Sequence, residues 1–176
     1  MRKTVEISNI KLFGNPKIQY RDFSEAKNFK EILDIIKRPF ITTKDIILKF
    51  ILNKKTYLFP INSGFIYDGA TIIRILVPLI GLGTDVRFMK AALIHDYFLD
   101  HKSEIYPRYF KNILTINDYI YLTSELFKSI LRQNYVSKIK SSIMTFFVTQ
   151  WQKSIFNKKM WKCLNEEHNK ENKNGN

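Results

Sequence analysis

One stretch, residues 84–100, constrains the fold more than any other, because its helical pattern is apolar on every side. The apolar side chains are those of Val86, Phe88, Met89, Ala91, Ala92, Leu93, Ile94, Phe98 and Leu99. A helix of this kind has no face suited to water, so other elements must surround it. We therefore expect residues 84–100 to form a central, buried helix.

Two ionisable residues, His95 and Asp96, interrupt this apolar helix and form the main anomaly of the sequence. Burial disfavours the charged forms of both side chains, so each needs hydrogen-bond or charge partners. Successive helical residues are turned by about 100°, which lets the two side chains flank one groove. One interpretation is a core histidine bonded to backbone or carboxylate, with the aspartate paired to an arginine. The other is a functional site.

The remaining pattern predicts a small sheet followed by further helices. Residues 1–23 are typical of one or two irregular strands, and residues 25–37 of an amphipathic helix capped by Ser24. Residues 45–52 and 56–61 are predicted to form a hairpin at which the sheet ends. Helices are expected at 115–133 and 137–153, the second of which carries Ile139, Ile143, Phe146, Phe147 and Trp151. The predicted fold class is α+β: a small N-terminal antiparallel sheet or hairpin with one short helix, then a helical half built on an antiparallel helix pair.

Composition favours one globular domain. The chain has 176 residues, 45% of them hydrophobic, so a single core can form over residues 1–164. The polar residues 165–176 are predicted to be a disordered tail. A single cysteine, Cys163, excludes an intramolecular disulfide framework. We expect no signal peptide and no transmembrane helix, because the N-terminus lacks an apolar core and the longest apolar run, residues 72–83, is too short for a bilayer.

Two further carboxyl groups are candidates for joining His95. Asp118 lies near the start of a later predicted helix, where an antiparallel arrangement would bring it to the imidazole and let it fix the ring tautomer. Its alternative role is that of a helix-start carboxylate favoured by the helix dipole. Asp68 lies in a loop with Gly64 and Gly69, and a loop carboxylate with nearby backbone carbonyl oxygens suits calcium. Its alternative role is that of a turn-forming residue.

The chain is strongly basic, with 29 Lys and Arg against 16 Asp and Glu and a net charge of +13. Residues 101–164 alone contain 11 Lys or Arg and 3 acidic residues. Aromatic residues are interleaved with these cations, a combination that favours nucleic acid or an anionic membrane surface with its phospholipid headgroups as partner. The alternative is a solvated basic surface without a specific partner.

Two motifs together resemble a known family. The motifs are residues 64–74, GFIYDGATIIR, and residues 91–96, AALIHD. They are similar to the GF, DGAS-like and PR loop and to the AA, HD and Y helix of the phage and prophage domain-of-unknown-function family 1353 (DUF1353). The resemblance covers about residues 59–161, and within the loop motif it includes Phe65, Gly69, Thr71 and Arg74.

A more distant similarity is to the bacterial and fungal branch of secreted phospholipase A2, in which an HD pair on one helix is followed by an Asp on an antiparallel helix. This similarity implies that His95 is the general base, Asp118 its orienting carboxylate and Asp96 a calcium ligand. Asp68 and the backbone carbonyls around Gly64 would complete the calcium loop. His95 would then take a proton from water during attack on an ester carbonyl, while calcium stabilises the oxyanion.

Three functional hypotheses remain open. The first is a phage-type, calcium-dependent hydrolase with a His-Asp dyad that acts on lipid or another envelope ester or amide. The second is a non-catalytic phage accessory or virion protein, in which the buried histidine and acids form a structural hydrogen-bond network. The third is a basic nucleic-acid-binding module. The expected location is the cytoplasm or a phage virion, since no export signal is recognised.

Overall fold

Two small antiparallel sheets come first and helices follow, in a computed structural model that describes residues 5–69 and 86–154. The strands are β1 (Ile7–Phe13), β2 (Ile18–Tyr20), β3 (Phe40–Thr42), β4 (Ile46–Leu52), β5 (Lys55–Ile61) and β6 (Ile66–Tyr67). The helices are α1 (Phe29–Lys37), α2 (Val86–Asp100), the short α3 (Lys102–Ile105), α4 (Ile116–Gln133) and α5 (Lys138–Lys153). This order confirms the α+β fold class. The predicted tail lies outside the described residues.

The predicted hairpin is formed by β4 and β5, and β1 pairs with the other edge of β4. Leu52 pairs with Lys55, so the connection is the two-residue turn Asn53 and Lys54. Both turn residues have positive φ, 48° and 69°, which is the backbone that a tight hairpin turn requires. Alternate residues of both strands are buried, so one face of this sheet is part of the core.

Helix α2 lies against the buried face of this sheet. The ring of Phe98 on α2 meets Phe59 edge-to-face at 5.0 Å between centroids, and the carbonyl oxygen of Phe98 accepts a hydrogen bond from the Tyr119 hydroxyl of α4 at 2.8 Å. The other side of α2 packs against α4, which in turn packs against α5. The prediction of a central buried helix is confirmed over Val86–Asp100.

The prediction that the sheet ends at the hairpin was wrong. A second antiparallel sheet has the order β2-β3-β6, in which Phe40 pairs with Tyr67 and Ile41 with Ile66. Strand β6 has two residues, and an alternating hydrophobic pattern cannot be recognised in so short a segment. Its importance is positional, because it places Tyr67 and the following loop beside α2.

The first helix begins later than the sequence predicted. Asn28 caps α1, since its Oδ1 accepts from the backbone N–H of Glu31 at 3.0 Å. Ser24 belongs instead to a separate 3₁₀ turn, Phe23–Glu25, whose cap is Asp22. The expected start at residue 25 was therefore wrong, because two competing caps occur within six residues of each other and Asn28 supplies the longer helix. Among the helices of the described ranges, none has both the length and the apolar character needed to cross a bilayer.

Candidate acid pair and its cavity

A cavity of about 350 Å³ lies where α1, the loop after β6, α2 and α5 meet. It combines ionisable groups with an apolar wall. The described residues that line it are Asp34, Lys37, Arg38, Asp68, Ala92, His95, Asp96, Leu99, Asp100, Lys102, Phe127, Val148 and Trp151. The structure thus brings together three of the predicted site residues, His95, Asp96 and Asp68, although they lie far apart along the chain.

His95 is 5% exposed, and both of its ring nitrogens have partners. Nδ1 lies 3.2 Å from Oδ1 of Asp96, and Nε2 accepts from the side-chain amide of Gln152 on α5. Because an amide nitrogen can only donate, this orientation of Gln152 assigns the ring hydrogen of neutral His95 to Nδ1. His95 therefore donates to Asp96 and holds its Oδ1 in place.

The polar chain continues behind His95 into the core. Gln152 is fully buried, and its Oε1 lies 3.2 Å from Oγ1 of Thr123 on α4. The same hydroxyl is 3.0 Å from the carbonyl oxygen of Ile120, and its single hydrogen can serve one acceptor at a time. When Thr123 donates to Gln152, Gln152 donates to His95 and His95 donates to Asp96, so all three hydrogen bonds run in the same direction.

Burial keeps His95 uncharged. It lowers the pKa of His95 from the ordinary 6.5 to about 4, and the negative charge of Asp68 opposes this shift only in part. The ring also packs edge-to-face on Phe127 at 5.7 Å between centroids. At pH 7 the imidazole is therefore neutral, and the Nε2 lone pair that a general base would use is occupied by Gln152.

The carboxyl group of Asp96 lies beside that of Asp68, and both line the cavity. Oδ2 of Asp96 is buried and has no donor as a partner in the part of the chain that the structure describes. Burial raises the pKa of Asp96 well above 3.8, and the charge of Asp68 and a hydrogen bond with its carboxyl group add to the rise, whereas the backbone N–H of Gly69 opposes it. A hydrogen bond between two carboxyl groups needs a bound proton on one of them, and the raised pKa of Asp96 favours its protonated form.

A buried tyrosine hydroxyl lies near the acid pair. Tyr67 is fully buried, and its Oη has no hydrogen-bond partner within residues 5–69 and 86–154. Burial raises its pKa, and the charge of Asp96 raises it further, which indicates that the two groups are close. Buried polar atoms are rarely left unsatisfied, so a water or a polar group of a ligand is the expected partner at this position.

Three of the remaining charged groups of the cavity, Arg38, Asp34 and Lys102, have hydrogen-bond partners within the described residues. Arg38 donates to Asp100, and Arg21 donates to Asp34 at 2.8 Å. Lys102 donates to the carbonyl oxygen of Leu99 at 3.0 Å, and burial lowers its pKa. Two of the cavity acids, Asp34 and Asp100, therefore each pair with an arginine.

Asp118 does not reach His95, so the predicted contact between them is wrong. Its Oδ2 accepts from the backbone N–H and the hydroxyl of Thr115 at 3.1 and 2.7 Å, and its own N–H donates to the Thr115 hydroxyl at 3.2 Å. These bonds form a capping box at the start of α4. Asp118 lines a second cavity with Tyr106 and Lys153. The helix-start role is the one that this geometry supports.

Three of the predicted loop residues, Gly64, Phe65 and Gly69, are not among the described residues that line the cavity. Gly64 is exposed and donates its N–H to the carbonyl oxygen of Thr42 at 2.7 Å. Phe65 packs on Tyr67, with ring centroids 6.0 Å apart. Gly69 has φ +69°, and the ring of Phe40 occupies the space that a Cβ would need. Thr71 and Arg74 lie outside the described residues.

The described residues do not build the predicted calcium site on their own. Calcium takes about six to eight oxygen ligands. Asp68 and Asp96 supply two carboxyl groups, but Oδ1 of Asp96 interacts with His95, and Gly64 is elsewhere. Across residues 5–69 and 86–154 there is no cluster of three or more His, Cys, Asp or Glu that could hold a metal ion. Calcium binding at Asp68 and Asp96 stays a prediction.

Sequence reasoning missed Gln152, Thr123 and Tyr67. A signal for Gln152 exists, because it continues the spacing of Met144 and Val148 along α5 and thus shares their inward face. Tyr67 precedes Asp68 directly, but nothing in the sequence indicates that its hydroxyl is buried without a partner.

Comparison with known proteins gives one match. Residues 46–148, more than half of the chain, match the family model described as Protein of unknown function (DUF1353). The matched range contains β4, β5, β6, α2 and α4, and it includes His95 and Asp96 on α2 and Asp68 in the loop after β6. No curated protein and no solved structure matches the chain. The resemblance noted in the loop and helix motifs is thus confirmed, and the chain belongs to the DUF1353 family.

Proposed function

We propose that the protein is a hydrolase of acyl esters or amides, in which Asp96 and Asp68 act as an acid–base pair that shares one proton. The observation that carries this proposal is the contact between the two carboxyl groups on a cavity that also has an apolar wall. Titratable groups whose environments shift their pKa values are characteristic of catalytic sites. The proposal keeps the hydrolase hypothesis and replaces its general base.

The pair would divide the proton transfers between its members. Asp68, as the carboxylate, takes a proton from water while the water oxygen attacks the carbonyl carbon. Asp96 gives its proton to the carbonyl oxygen, which avoids a free oxyanion. When the intermediate collapses, the bond to the leaving oxygen or nitrogen breaks, that atom receives the proton held by Asp68, and the carbonyl re-forms as Asp96 recovers its own proton. One water is consumed, and the pair again holds one proton.

His95 acts in this scheme as a positioning residue. Its Nδ1–H donates to Oδ1 of Asp96 and so fixes the orientation of this carboxyl group beside Asp68. Gln152 fixes the ring from the other side. Preorganised donors of this kind keep a catalytic group in its productive geometry.

The cavity wall favours an apolar substrate part beside the reacting bond. Leu99, Phe127 and Val148 supply aliphatic and aromatic surface next to the acids. A volume of about 350 Å³ is within the usual range of small-molecule sites. An acyl chain of a lipid or of another amphiphile is the class of substrate that fits this combination.

The test compares the wild-type chain with Asp96→Asn and Asp68→Asn on p-nitrophenyl esters of increasing acyl length and on phospholipid vesicles. Both variants should lose at least about 100-fold in rate, because each removes one of the two proton carriers. Asp118→Asn is the matched control, since it changes the same chemical group in the second cavity, and it should retain the wild-type rate. Hydrolysis that survives in either acid-pair variant, or a wild-type rate equal to buffer on every substrate, would refute the proposal.

Calcium dependence separates this mechanism from the one that the phospholipase similarity implies. Activity should persist in excess EGTA, because the carboxyl groups of Asp68 and Asp96 can share a proton but supply too few oxygen ligands for calcium. A rate that disappears with EGTA and returns with added calcium would show that Asp68 and Asp96 bind a cation instead, and the proton-sharing scheme would be wrong.

A further inference from the structure

Helix α5 has its apolar side turned to solvent. Its buried residues are Ser141, Met144, Thr145, Val148 and Gln152, three of which are polar. Its exposed apolar residues are Ile139, Ile143, Phe146, Phe147 and Trp151. At about 100° per residue, Ile139, Ile143 and Phe146 lie opposite the buried face. This is the reverse of a normal surface helix, whose apolar stripe faces the core.

The exposure of these side chains is large. Ile139 is 75% exposed and Phe146 is 58% exposed. Single exposed apolar residues are common on monomeric proteins, but a stripe along about three turns of one helix marks an interaction surface. We call Ile139, Ile143 and Phe146 with the flanking Phe147 and Trp151 the outward face of α5.

Positive charge borders the outward face. The sequence of α5, KIKSSIMTFFVTQWQK, contains three lysines and no acidic residue. Lys138 and Lys140 lie at its first turn and Lys153 at its last residue, and all three are exposed. Long lysine side chains can extend from the edge of an apolar stripe toward anionic groups at the same interface.

Helix α1, on another side of the cavity, also exposes apolar residues and lysines, although it contains the acidic residues Glu31 and Asp34 as well. Its exposed apolar residues are Phe29, Leu33 and Ile36, and Lys30 and Lys37 are exposed on the same helix. Lys37 of α1 and Trp151 of α5 both line the acid-pair cavity. The two apolar stripes thus belong to two of the helices that border this cavity.

We propose that the outward face of α5 docks on the surface of an anionic lipid bilayer, with the helix axis in the membrane plane. Apolar side chains would enter the boundary between headgroups and acyl chains, while the lysines contact anionic headgroups. Trp151 belongs to both the outward face and the cavity lining, so docking brings the cavity next to the lipid. This inference does not depend on hydrolysis, since none of its residues belongs to the acid pair.

Two other occupants fit the observations less well. A second copy of the chain, related by a two-fold axis through α5, would bring lysines against lysines with no acidic residue of this helix to compensate. A nucleic acid would match the charge, but phosphates and bases bind to cationic, polar and aromatic side chains. They would leave the aliphatic side chains of Ile139 and Ile143, at the centre of the face, without matching contacts. An anionic bilayer satisfies both the apolar centre and the basic border.

The test is vesicle co-sedimentation of the full chain, followed also by tryptophan fluorescence. The vesicles are phosphatidylcholine alone or phosphatidylcholine with about 30 mol% phosphatidylglycerol. The wild type should bind the anionic vesicles at least tenfold more tightly than the neutral ones. The double variant Ile139→Ser with Phe146→Ser should lose at least tenfold in binding to the anionic vesicles. Lys138→Gln with Lys140→Gln should weaken binding to the anionic vesicles alone.

The matched control is Leu58→Ser. Leu58 is 60% exposed, nearly the same fraction as Phe146, but it belongs to strand β5 and not to α5. This variant should bind vesicles as the wild type does, and so should Asp96→Asn, which separates docking from hydrolysis. Equal loss in Leu58→Ser, absence of wild-type binding, or a double variant that binds normally but no longer self-associates in sedimentation velocity would overturn the proposal. Binding to duplex DNA that the double variant retains while anionic vesicles fail to compete would overturn it as well.

Discussion

Replacement of His95 by asparagine tests the assignment of a buried, neutral imidazole. His95 donates from Nδ1 to Asp96, and the amide of an asparagine can place a donor at nearly the same position. His95→Asn therefore keeps the contact with Asp96 and removes the titrating ring. The variant loses ring packing and leaves the Gln152 amide without its partner, which lowers stability by an amount that does not depend on pH.

The magnitude of the pH-dependent part follows from the shift in the pKa of His95. The unfolded chain has a histidine pKa near 6.5, and the folded chain has one of about 4. As pH falls, the unfolded state binds a proton first, so acid favours unfolding. The contribution of His95 to stability is fully present above pH 6.5 and is lost toward pH 4. Between pH 7 and pH 5 the loss amounts to about 2 kcal/mol in the free energy of unfolding.

Asp96 contributes with the opposite sign, which makes a matched variant necessary. Its pKa is raised in the folded state, so its protonation favours the fold as pH decreases. The wild-type protein alone would report the sum of the two effects. Because both proteins contain Asp96, the difference between them isolates the histidine.

Urea unfolding of both proteins at pH 7, 6 and 5 provides the measurement. The stability advantage of the wild type over His95→Asn should shrink by about 2 kcal/mol across this range. A difference that stays constant within about 0.5 kcal/mol would mean that His95 titrates normally in the fold. The assignment of a neutral, buried ring that orients Asp96 would then be refuted.

Three further substitutions probe neighbouring features. Tyr67→Phe removes a buried hydroxyl without a described partner and should raise the free energy of unfolding by about 1 kcal/mol, measured by urea unfolding; a loss of that size would reveal a bound partner. Gly69→Ala should destabilise by about 2 kcal/mol or more, because φ is +69° and the Phe40 ring fills the Cβ position; an unchanged melting temperature would contradict this packing. Thr115→Ala removes the cap of α4 and should cost about 1 kcal/mol in thermal melts without any change in hydrolysis rate, whereas a reduced rate would link the capping box to the site.

Much of the fold follows from patterns that act over several residues. The hairpin has two alternating runs and a polar turn, and α2 has an apolar surface that admits only a central position. Helix α4 begins within one residue of the prediction because Thr115 and Asp118 form a capping box that fixes the start. Such signals combine local conformation and burial, so they are strong in a single sequence.

The site was only partly predictable, because its geometry depends on contacts across the chain. His95 and Asp96 stand out as charges in an apolar helix, but the second sheet that places Asp68 beside them rests on the two-residue strand β6. Asp118 had two interpretations, a helix-start carboxylate and a partner of His95. It bonds to Thr115, because a contact between residues three apart costs less conformational entropy than a contact with a residue far away in the chain. The spacing of Ile139, Ile143 and Phe146 fits a buried stripe equally well. Which face of α5 is buried therefore depends on the elements that pack against it, and the spacing alone does not predict it.

The orientation of α5 is coupled to the hydrogen bond that Gln152 makes with His95. The inward hydroxyls of α5 have partners close by. Thr145 donates to the carbonyl oxygen of Ser141 at 2.7 Å, and the Thr149 hydroxyl lies 2.8 Å from both the carbonyl oxygen of Thr145 and the hydroxyl of Ser124 on α4. Small side chains with internal partners let α5 approach α4 closely at little cost, and this closeness brings Gln152 to the imidazole. A helix that turned Ile139 and Phe146 inward would turn Gln152 away from His95 and leave the ring nitrogen in the core without a donor. The hydrogen bond between Gln152 and His95 is thus made only when this face of α5 is turned to the core, which leaves the apolar, lysine-bordered face to solvent.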